Sequence, residues 1–390
     1  MVSFDNTEVA FSGKSDSDLR RAYWLFRMIG KPALVKIGKH LTTFALKIHF
    51  PIKGIVKRTI FKHFCGGENI TECAAKTEDL AKFGIGTILD YSVEGKTSEA
   101  DLDHTAEEIR QTALVAKGKE HIPFCVFKVT GVARFEILEK VSANAELNEE
   151  EKQEYLRVVA RVDKICKEAY QSETPVFIDA EESWIQPAID GLCDAMMAKY
   201  NKQKAIVYNT IQLYRHDRLQ FLKDSHDKAK KGGYHLGLKL VRGAYMEKER
   251  DRAAKLGYPS PIQPDKSATD RDYDLALTYC VENIENIAIC AGTHNEQSSL
   301  HLVQLMAKHG LPKDDKRIYY AQLLGMSDHI SFNLSAKSYR VAKYVPYGPV
   351  REVLPYLIRR AEENTSVKGQ TGRELSLIIK ERKRRKDVRK

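Results

Sequence analysis

The run LGLKLVR at residues 236–242 is short, largely apolar and has the length of a buried β-strand. Seven comparable runs occur along the chain, and longer segments rich in Glu, Lys, Ala and Leu separate them. These runs are GIGTILDY (84–91), PFCVFKV (123–129), PVFID (175–179), KAIVYNT (204–210), IAICA (287–291), RIYYA (317–321) and VAKYV (341–345). The sequence therefore predicts eight strands in succession, with helices between them.

The segments between the strands decide how the strands pair. Residues 149–170 and 296–309 are typical of amphipathic helices. Strands joined through helices pair in parallel, because each connection must cross back over the sheet. Eight such units are the number that closes a (β/α)8 barrel of the TIM type. An open doubly wound sheet is the alternative, although no G-x-G-x-x-G motif follows the first strand.

The two ends of the chain do not follow this alternation. We expect an α-helical N-terminal region at residues 1–80, with a basic helical stretch around 30–62, then a barrel at 81–370. A basic C-terminal helix or tail at 371–390 contributes much of the formal net charge of +10. A solvated helix end is the simpler interpretation of this tail, and attachment to an anionic membrane surface is the alternative.

Composition and the first residues indicate the class of protein. The apolar content is 43%, the mean hydropathy is −0.43, and no run of about 18 uncharged apolar residues occurs, so we expect no membrane span. The start MVSFDNTEVAFSGKSDSD carries acidic residues and no apolar segment, which argues against a secretory signal or a mitochondrial presequence. The seven cysteines are scattered, and none forms a C-x-x-C pair. We expect reduced, buried thiols in a cytoplasmic protein.

Polar residues recur where the predicted strands end. In a (β/α)8 barrel the chemistry sits at the C-terminal ends of the strands. A single polar residue there is usually an ordinary loop or cap residue, but their repetition from strand to strand predicts an active site. The residues are Lys128, Asp179, Gln212, Lys239, Arg242, Thr293, His294, Gln322 and Tyr344.

Six motifs across residues 80–370 resemble the proline dehydrogenase family, and its eukaryotic-like, monofunctional branch in particular. They occur in the family's order and with family-like spacing. The motifs are FIDAEES (177–183), LKLVRGAY (238–245), AGTHNE (291–296), YAQLLGM (320–326), YVPYGP (344–349) and YLIRRAEEN (356–364).

The resemblance implies a fold and an activity. The family fold is a distorted (β/α)8 barrel that holds FAD and has its last helix over the strand ends. The family oxidises L-proline to Δ1-pyrroline-5-carboxylate, the first step of proline catabolism to glutamate, and passes the electrons to a membrane quinone. Peripheral association with the inner face of the membrane follows as an expectation. The chain resembles the stand-alone members rather than those fused to an aldehyde dehydrogenase.

The resemblance also assigns the substrate contacts. Arg359 and Arg360 match the family's paired arginines, and arginine offers a planar fork suited to a carboxylate. Lys128 would add a third positive contact, and Tyr356 flanks the pair. Tyr344 would pack against the proline ring, and its bulk predicts proline over 4-hydroxyproline as substrate.

Two residues are expected to act closest to the reaction. Asp179 matches a strand-end aspartate that can orient neighbouring groups or stabilise the cationic amine. Lys239 lies near the flavin by resemblance, and here the chain departs from many bacterial members, which have arginine at this position. Glu94 resembles a glutamate that pairs with Arg359 as a lid over the substrate.

A further set of residues is carried over as FAD contacts. Gly243 would let the backbone approach the cofactor closely, and Lys266 and Thr269 fall in a predicted loop at the adenosine half. The full set is Ala180, Gln212, Arg242, Gly243, Ala244, Lys266, Thr269, Thr293, His294, Gln322, Leu324 and Glu363. We expect no metal site, and we interpret Glu181 and Glu182 as acids at a helix N-terminus rather than as a catalytic or metal-binding pair.

Three other functions compete with this interpretation. The chain could be a hydroxyproline dehydrogenase, or a Schiff-base aldolase that uses Lys128 or Lys239, since strand-end lysines suit that chemistry. The net charge alone suggests a nucleic-acid binder, but no recognition motif is present, so we expect no nucleic-acid partner.

Overall fold

The computed structural model describes residues 2–31, 33, 53–93, 97–366 and 370–389. Residues 53, 55, 361–366, 370 and 371 are described by their backbone only. The described residues before the first strand form mainly helices. They comprise α1 (Thr7–Ala10), α2 (Asp16–Ile29), α3 (Lys53–Val56), a π-helical turn (Lys57–Phe61), α4 (Lys62–Phe64) and α5 (Ile70–Ala81).

Eight parallel strands form a closed barrel in chain order, and the last strand pairs with the first. The expected (β/α)8 architecture is therefore confirmed, and the alternative of an open sheet is wrong. The strands are β1 (Ile85–Tyr91), β2 (Phe124–Lys128), β3 (Val176–Asp179), β4 (Val207–Gln212), β5 (Leu236–Val241), β6 (Ile287–Gly292), β7 (Ile318–Leu323) and β8 (Val341–Tyr347).

Helices follow each strand, and most of them surround the barrel. They are α6 (Glu99–Ala116), α7 (Phe135–Ser142), α8 (Glu149–Gln171), α9 (Gln186–Tyr200), α10 (Arg218–Gly232), α11 (Met246–Leu256), α12 (Lys266–Glu282), α13 (Glu296–Lys308), α14 (Asp328–Ser335), α15 (Val350–Ser366) and α16 (Gln370–Val388). The sequence also sets their starts: Asn148 and Glu151 form a capping box at α8, and the Asn295 side chain accepts backbone N–H bonds at α13.

Strand β4 begins three residues later than its sequence predicts. The apolar run starts at residue 204, but β4 starts at Val207. The side chain of Asn201 explains the difference, because its Oδ1 accepts from the N–H groups of Ile206 and Val207 at 2.9 and 2.8 Å. These bonds hold residues 201–206 as a loop.

The barrel interior is filled by aromatic side chains. Phe124 and Phe177 stack with ring centroids 4.3 Å apart, and Tyr208 meets both rings edge-on. Tyr344 lies parallel to Phe177 at 6.4 Å. The interior is thus a packed core, and any site must lie above it, at the C-terminal ends of the strands.

The last barrel helix does not lie where a regular barrel would place it. Helix α5 packs against β1 and β8 on the outside of the barrel, the usual place of the helix after β8. Helix α15 instead packs against α2 and residues 53–64, through an apolar cluster that includes Leu25, Phe61, Phe64, Leu354 and Leu357. The barrel is distorted at this position.

The basic end of the chain forms a docked helix. Leu377 and Ile378 of α16 are buried against Phe11 and Phe26, and the Arg385 guanidinium donates to the carbonyl oxygen of Phe11 at 2.9 Å. Among the helices that the structure describes, none combines the length and the apolar character needed to cross a membrane. All seven cysteines are buried and free, as expected.

Candidate active site

Three side chains from separate strands meet above the aromatic core. The Lys239 ammonium on β5 donates to Asp179 Oδ1 on β3 and to the Tyr344 hydroxyl on β8, the latter at 2.6 Å. The Tyr344 hydroxyl donates to Asp179 Oδ1 at 3.2 Å. Lys239 and Tyr344 are both buried. The barrel thus holds an ammonium, a carboxylate and a phenol as one hydrogen-bonded group.

The surroundings of Tyr344 keep its phenol protonated. Burial raises the pKa of the Tyr344 phenol well above its usual range, and the negative charge of Asp179 adds to the effect. The phenol therefore remains a proton donor at neutral pH. The Lys239 ammonium lies 5.4 Å from the Phe177 ring centroid and 4.8 Å from that of Tyr344, within cation–π range.

Helix α15 carries two adjacent arginines, and their charges act on different ionisable side chains of the site. The buried Arg360 guanidinium stands 5.2 Å from the Tyr356 ring centroid, and its positive charge helps to lower the pKa of His294, mainly a burial effect. The charge of Arg359 instead acts on the Tyr245 phenol.

Tyr245 is a site residue that sequence reasoning missed. Burial raises the pKa of its phenol, and the charges of Lys128, Glu181 and Arg359 all act on it. Tyr245 therefore lies among the residues expected to hold the substrate. It ends the motif LKLVRGAY, and its place directly after the strand-end residues was the available signal.

The two acids after β3 do not lie at a helix N-terminus, so that interpretation is wrong. Helix α9 begins only at Gln186 and has no acid in its first turn. Glu181 instead accepts hydrogen bonds from the Thr130 backbone N–H at 3.0 Å and from the Thr130 hydroxyl at 2.5 Å. Glu182 forms an ion pair with Lys248.

The predicted FAD residues after β5, β6 and β7 form one network. The Arg242 guanidinium donates to Asp270 at 2.6 Å, to Thr293 Oγ1 at 2.7 Å and to Ser298 Oγ at 2.9 Å. Gln322 Nε2 donates to the carbonyl oxygen of Thr293 at 3.1 Å. The network therefore holds the mouth of the barrel rigid along three neighbouring strands.

His294 belongs to the same part of the site. Burial lowers the pKa of its imidazole to about 3, so the ring is neutral at physiological pH. Its Nδ1 lies 2.9 Å from the Ser327 hydroxyl oxygen. A neutral imidazole fixed at one nitrogen presents its other nitrogen as a defined donor or acceptor.

The donor and acceptor set fits a flavin. Gln212 Nε2 donates to the Glu181 carbonyl oxygen at 3.0 Å, while the buried Gln212 Oε1 has no hydrogen-bond partner within the described part of the chain. A buried acceptor without a donor is costly, and the N–H group of a flavin ring would supply one. Small or apolar side chains occupy neighbouring predicted positions, namely Ala180, Ala244 and Leu324.

Gly243 has a local reason to be glycine. Its φ is +136°, and a Cβ there would lie 2.5 Å from ring atoms of Tyr214. The sequence predicts close approach of a cofactor at this position, whereas the structure shows the Tyr214 ring there. Any side chain at this position would displace the segment that carries Arg242 and Tyr245.

The predicted adenosine contacts do not lie in a loop, so that part of the prediction is wrong. Lys266 and Thr269 lie at the start of α12, because the Asp265 side chain caps this helix by accepting from the Ala268 N–H at 2.8 Å. Lys266 pairs with Asp270, which also binds Arg242.

Two predicted residues lie outside the described parts of the chain, namely Glu94 and the side chain of Glu363. Within the described residues, no group of three or more His, Cys, Asp and Glu side chains is arranged to hold a metal ion.

Comparison with known proteins shows the family of this chain. A family model described as proline dehydrogenase matches residues 73–373. The chain belongs to the proline dehydrogenase family. Proline dehydrogenase 1, mitochondrial, of Dictyostelium discoideum is 35% identical over 379 residues, which cover 86% of this chain and 66% of that protein. The chain thus spans just under two thirds of that relative.

Two further proteins are similar to this proline dehydrogenase family member. Hydroxyproline dehydrogenase of Xenopus laevis is 32% identical over 422 residues, covering 98% of this chain and 90% of that protein. The crystal structure of proline utilization A from Bdellovibrio bacteriovorus, inactivated by N-propargylglycine, superposes with a TM-score of 0.73. It is 21% identical and matches 92% of this chain and 38% of its own, so the likeness concerns the fold.

We expect this proline dehydrogenase family member to lose stability through Glu181 as pH rises. Burial raises the pKa of Glu181 from 4.5 to about 7. Below pH 4.5 the carboxyl is protonated in both the folded and the unfolded state. Between these pH values the unfolded chain releases its proton first, so the free energy of unfolding falls by about 1.4 kcal/mol per pH unit. Above pH 7 the loss stays constant, at about 3 kcal/mol.

The measurement is thermal unfolding of the wild type and Glu181→Gln at pH 5 and pH 8. The variant should gain stability relative to the wild type between the two pH values, since glutamine does not titrate. Glu182→Gln, which removes the neighbouring carboxylate paired with Lys248, is the control and should not reproduce this gain. A constant difference between wild type and Glu181→Gln would contradict the assignment.

Proposed function

We propose that this chain oxidises L-proline to Δ1-pyrroline-5-carboxylate, with FAD as the hydride acceptor and a membrane quinone as the final electron acceptor. One observation carries the proposal. The Lys239, Asp179 and Tyr344 group lies at the mouth of the barrel, and Arg359 and Arg360 of α15 add positive charge at Tyr245 and His294, which follow β5 and β6. Family membership supports the same reaction.

Proline is a small zwitterion, and the site offers a contact for each of its parts. Arg359, Arg360 and Lys128 would bind the carboxylate, since guanidinium groups form paired, charge-assisted hydrogen bonds with it. Tyr356 packs under the Arg360 guanidinium and would keep it oriented. The Tyr344 ring would form the wall against the apolar face of the pyrrolidine.

Lys239 and Asp179 would assist the hydride transfer through charge. When bound, FAD accepts the hydride from the ring carbon next to the proline nitrogen. The Lys239 ammonium would stabilise the negative charge that develops near the acceptor, and it is already oriented by its ion pair with Asp179. The Asp179 carboxylate would also stabilise the positive charge that develops on the substrate nitrogen as the hydride leaves the neighbouring carbon.

The remaining predicted residues would hold FAD. The buried Gln212 Oε1 and the Arg242, Thr293 and Gln322 network would contact the ring system, with Ala180, Gly243, Ala244 and Leu324 around it. His294 would contact the flavin or the phosphates. Lys266 and Thr269 would contact the adenosine half from the start of α12. Glu363 would also contact FAD.

The visible spectrum of the purified protein tests the proposal. A flavin absorbs near about 450 nm, and anaerobic L-proline should bleach this band, because cofactor reduction is the half-reaction itself. A flavin that proline does not bleach would contradict the substrate, and hydroxyproline would be tested next. A protein that takes up no FAD would refute the flavoenzyme and favour the lysine-based aldolase.

Hydroxyproline dehydrogenase is the second candidate, because the Xenopus laevis protein of that name matches 98% of this chain. We expect Tyr344→Ser to shift the ratio of kcat/KM towards 4-hydroxyproline by roughly tenfold to a hundredfold, since the smaller side chain removes the wall. Steady-state kinetics with both substrates measures the ratio. Tyr344→Phe keeps the ring but loses the hydroxyl that binds Lys239, so it should be slower but equally selective. Equal kcat/KM ratios in the wild type and both variants would refute the proposal that the Tyr344 ring forms the wall.

Access to a membrane quinone requires contact with the membrane surface. Lys383 and Lys386 are exposed on α16, whereas Arg384 and Arg385 pair with Glu8 and Asp16. We propose that the exposed lysines supply a weak attraction to anionic lipid. Sedimentation with anionic vesicles should decrease in the Lys383→Glu/Lys386→Glu variant and in high salt. Unchanged sedimentation would remove α16 from this role.

A further inference from the structure

A hydrogen-bonded path leads from α16 to the predicted cofactor residue His294. Glu374, in the second turn of α16, is buried, and its Oε1 accepts from the backbone N–H of Ser327. The Ser327 hydroxyl oxygen lies 2.9 Å from His294 Nδ1. A carboxylate on a helix outside the barrel is therefore two contacts away from the mouth of the barrel.

Ser327 is held in an uncommon backbone conformation. It is fully buried, and its φ of 50° and ψ of 41° place a non-glycine residue in the left-handed region. In this conformation its N–H points to Glu374 while its hydroxyl meets His294. A buried N–H without an acceptor is costly, so Glu374 supports this conformation directly.

The segment around Ser327 is fixed from other directions as well. Asp328 pairs with Lys343 of β8 at 2.9 Å and with Lys14 at 3.0 Å. His329 Nε2 lies 3.0 Å from Glu296 Oε1, and its Nδ1 lies 4.0 Å from Glu374 Oε1. Glu374 is thus the carboxylate of this cluster that contacts Ser327 itself, while its neighbours fix the start of α14.

We propose that Glu374 is a positioning residue for the cofactor site, which acts through Ser327 on the imidazole of His294. The inference rests on the proposed function, because His294 orients FAD only if the chain binds it. Without the Glu374 carboxylate, Ser327 relaxes from the left-handed conformation and its hydroxyl leaves His294. The imidazole then loses its fixed orientation, and FAD binds less tightly.

The test uses Glu374→Ala, Glu374→Gln and Ser327→Ala in the full chain. FAD titration of the cofactor-free protein should give a dissociation constant roughly tenfold to a hundredfold higher for Glu374→Ala, since the buried Ser327 N–H is left without an acceptor. Glu374→Gln keeps an acceptor for the Ser327 N–H and should stay within about threefold of the wild type. The Glu374→Ala/Ser327→Ala double variant should have about the same FAD affinity as the single variant that binds FAD less tightly, because both changes interrupt the same path.

A second readout needs no cofactor. The ring nitrogens of His294 in ¹⁵N-histidine-labelled protein should change chemical shift in Glu374→Ala and keep the wild-type values in Glu374→Gln. The His294→Asn variant assigns these signals by their disappearance. Glu381→Ala is the control, because Glu381 is also buried on α16 but pairs with Arg384 and Arg385, so it should lower the melting temperature and leave the His294 signals unchanged.

The outcomes separate this inference from the proposed function. If Glu374→Ala lowers only the melting temperature, and FAD affinity and the His294 signals stay as in the wild type, Glu374 is merely structural and the inference is refuted. If the wild type binds no FAD, the proposed function fails, and the His294 signals alone decide the inference. Changed signals would support the path through Ser327, and unchanged signals would refute it.

Discussion

Lys239→Met is expected to slow the reduction of the bound flavin by proline about 100-fold to 1,000-fold, the usual effect of removing one preorganised charge at a reacting centre. The Lys239 ammonium is buried and bonded to Asp179 and Tyr344. Its loss also leaves the Asp179 carboxylate without its ion-pair partner, which should cost about 3–5 kcal/mol of folding free energy. Anaerobic stopped-flow absorbance and thermal unfolding measure the two effects.

Two further variants separate the catalytic effect of Lys239 from its effect on stability. Lys239→Met/Asp179→Leu removes both charges, so it should recover most of the lost stability while the reduction rate stays low. Lys239→Arg keeps the positive charge and should retain a large part of the rate. If the double variant recovered the rate together with the stability, Lys239 would act only through the fold.

Arg359→Ala is expected to raise KM for proline about 100-fold or more, with a smaller effect on kcat, because one partner of a buried charge pair with the substrate carboxylate is lost. Arg359 is the better arginine to change, since its charge acts on Tyr245 at the substrate side, whereas Arg360 is buried against Tyr356. Steady-state kinetics over a wide range of proline concentration measures the effect.

Arg351 provides the control for Arg359. It lies exposed in the first turn of the same helix, so Arg351→Ala removes an equal charge and should leave KM within about twofold, as surface changes usually do. An unchanged KM in Arg359→Ala would place the carboxylate elsewhere. An equal rise in both variants would indicate a long-range field rather than a direct contact.

The barrel could be predicted from the sequence because each strand and helix is specified by residues within or next to it. Each strand is a short apolar run, and the helices carry their own caps, such as the Asn148 and Glu151 box at α8. The start of β4 was missed because a side chain, Asn201, holds the preceding residues as a loop. A propensity argument does not include such a tertiary contact.

The sequence predicts the candidate site residues one by one, but not how they are arranged in space. Lys239, Asp179 and Tyr344 are separated by 60, 105 and 165 positions in the three pairings, so only the closed barrel brings them together. Tyr245 was missed for the same reason, since its neighbours come from other strands and from α15. The acids at 181 and 182 were misplaced because α9 begins later than the sequence suggested.

The displacement of α15 has a consequence for what holds the proposed substrate charges in place. Helix α5 covers β1 and β8, so the helix that carries Arg359 and Arg360 packs its apolar side chains against Leu25, Ile29, Phe61 and Phe64. The eight strands close without this helix, because β8 pairs directly with β1. The scaffold of the barrel and the support of its two arginines are therefore separate parts of the molecule, and a change in the helices before β1 can move the arginines without opening the barrel.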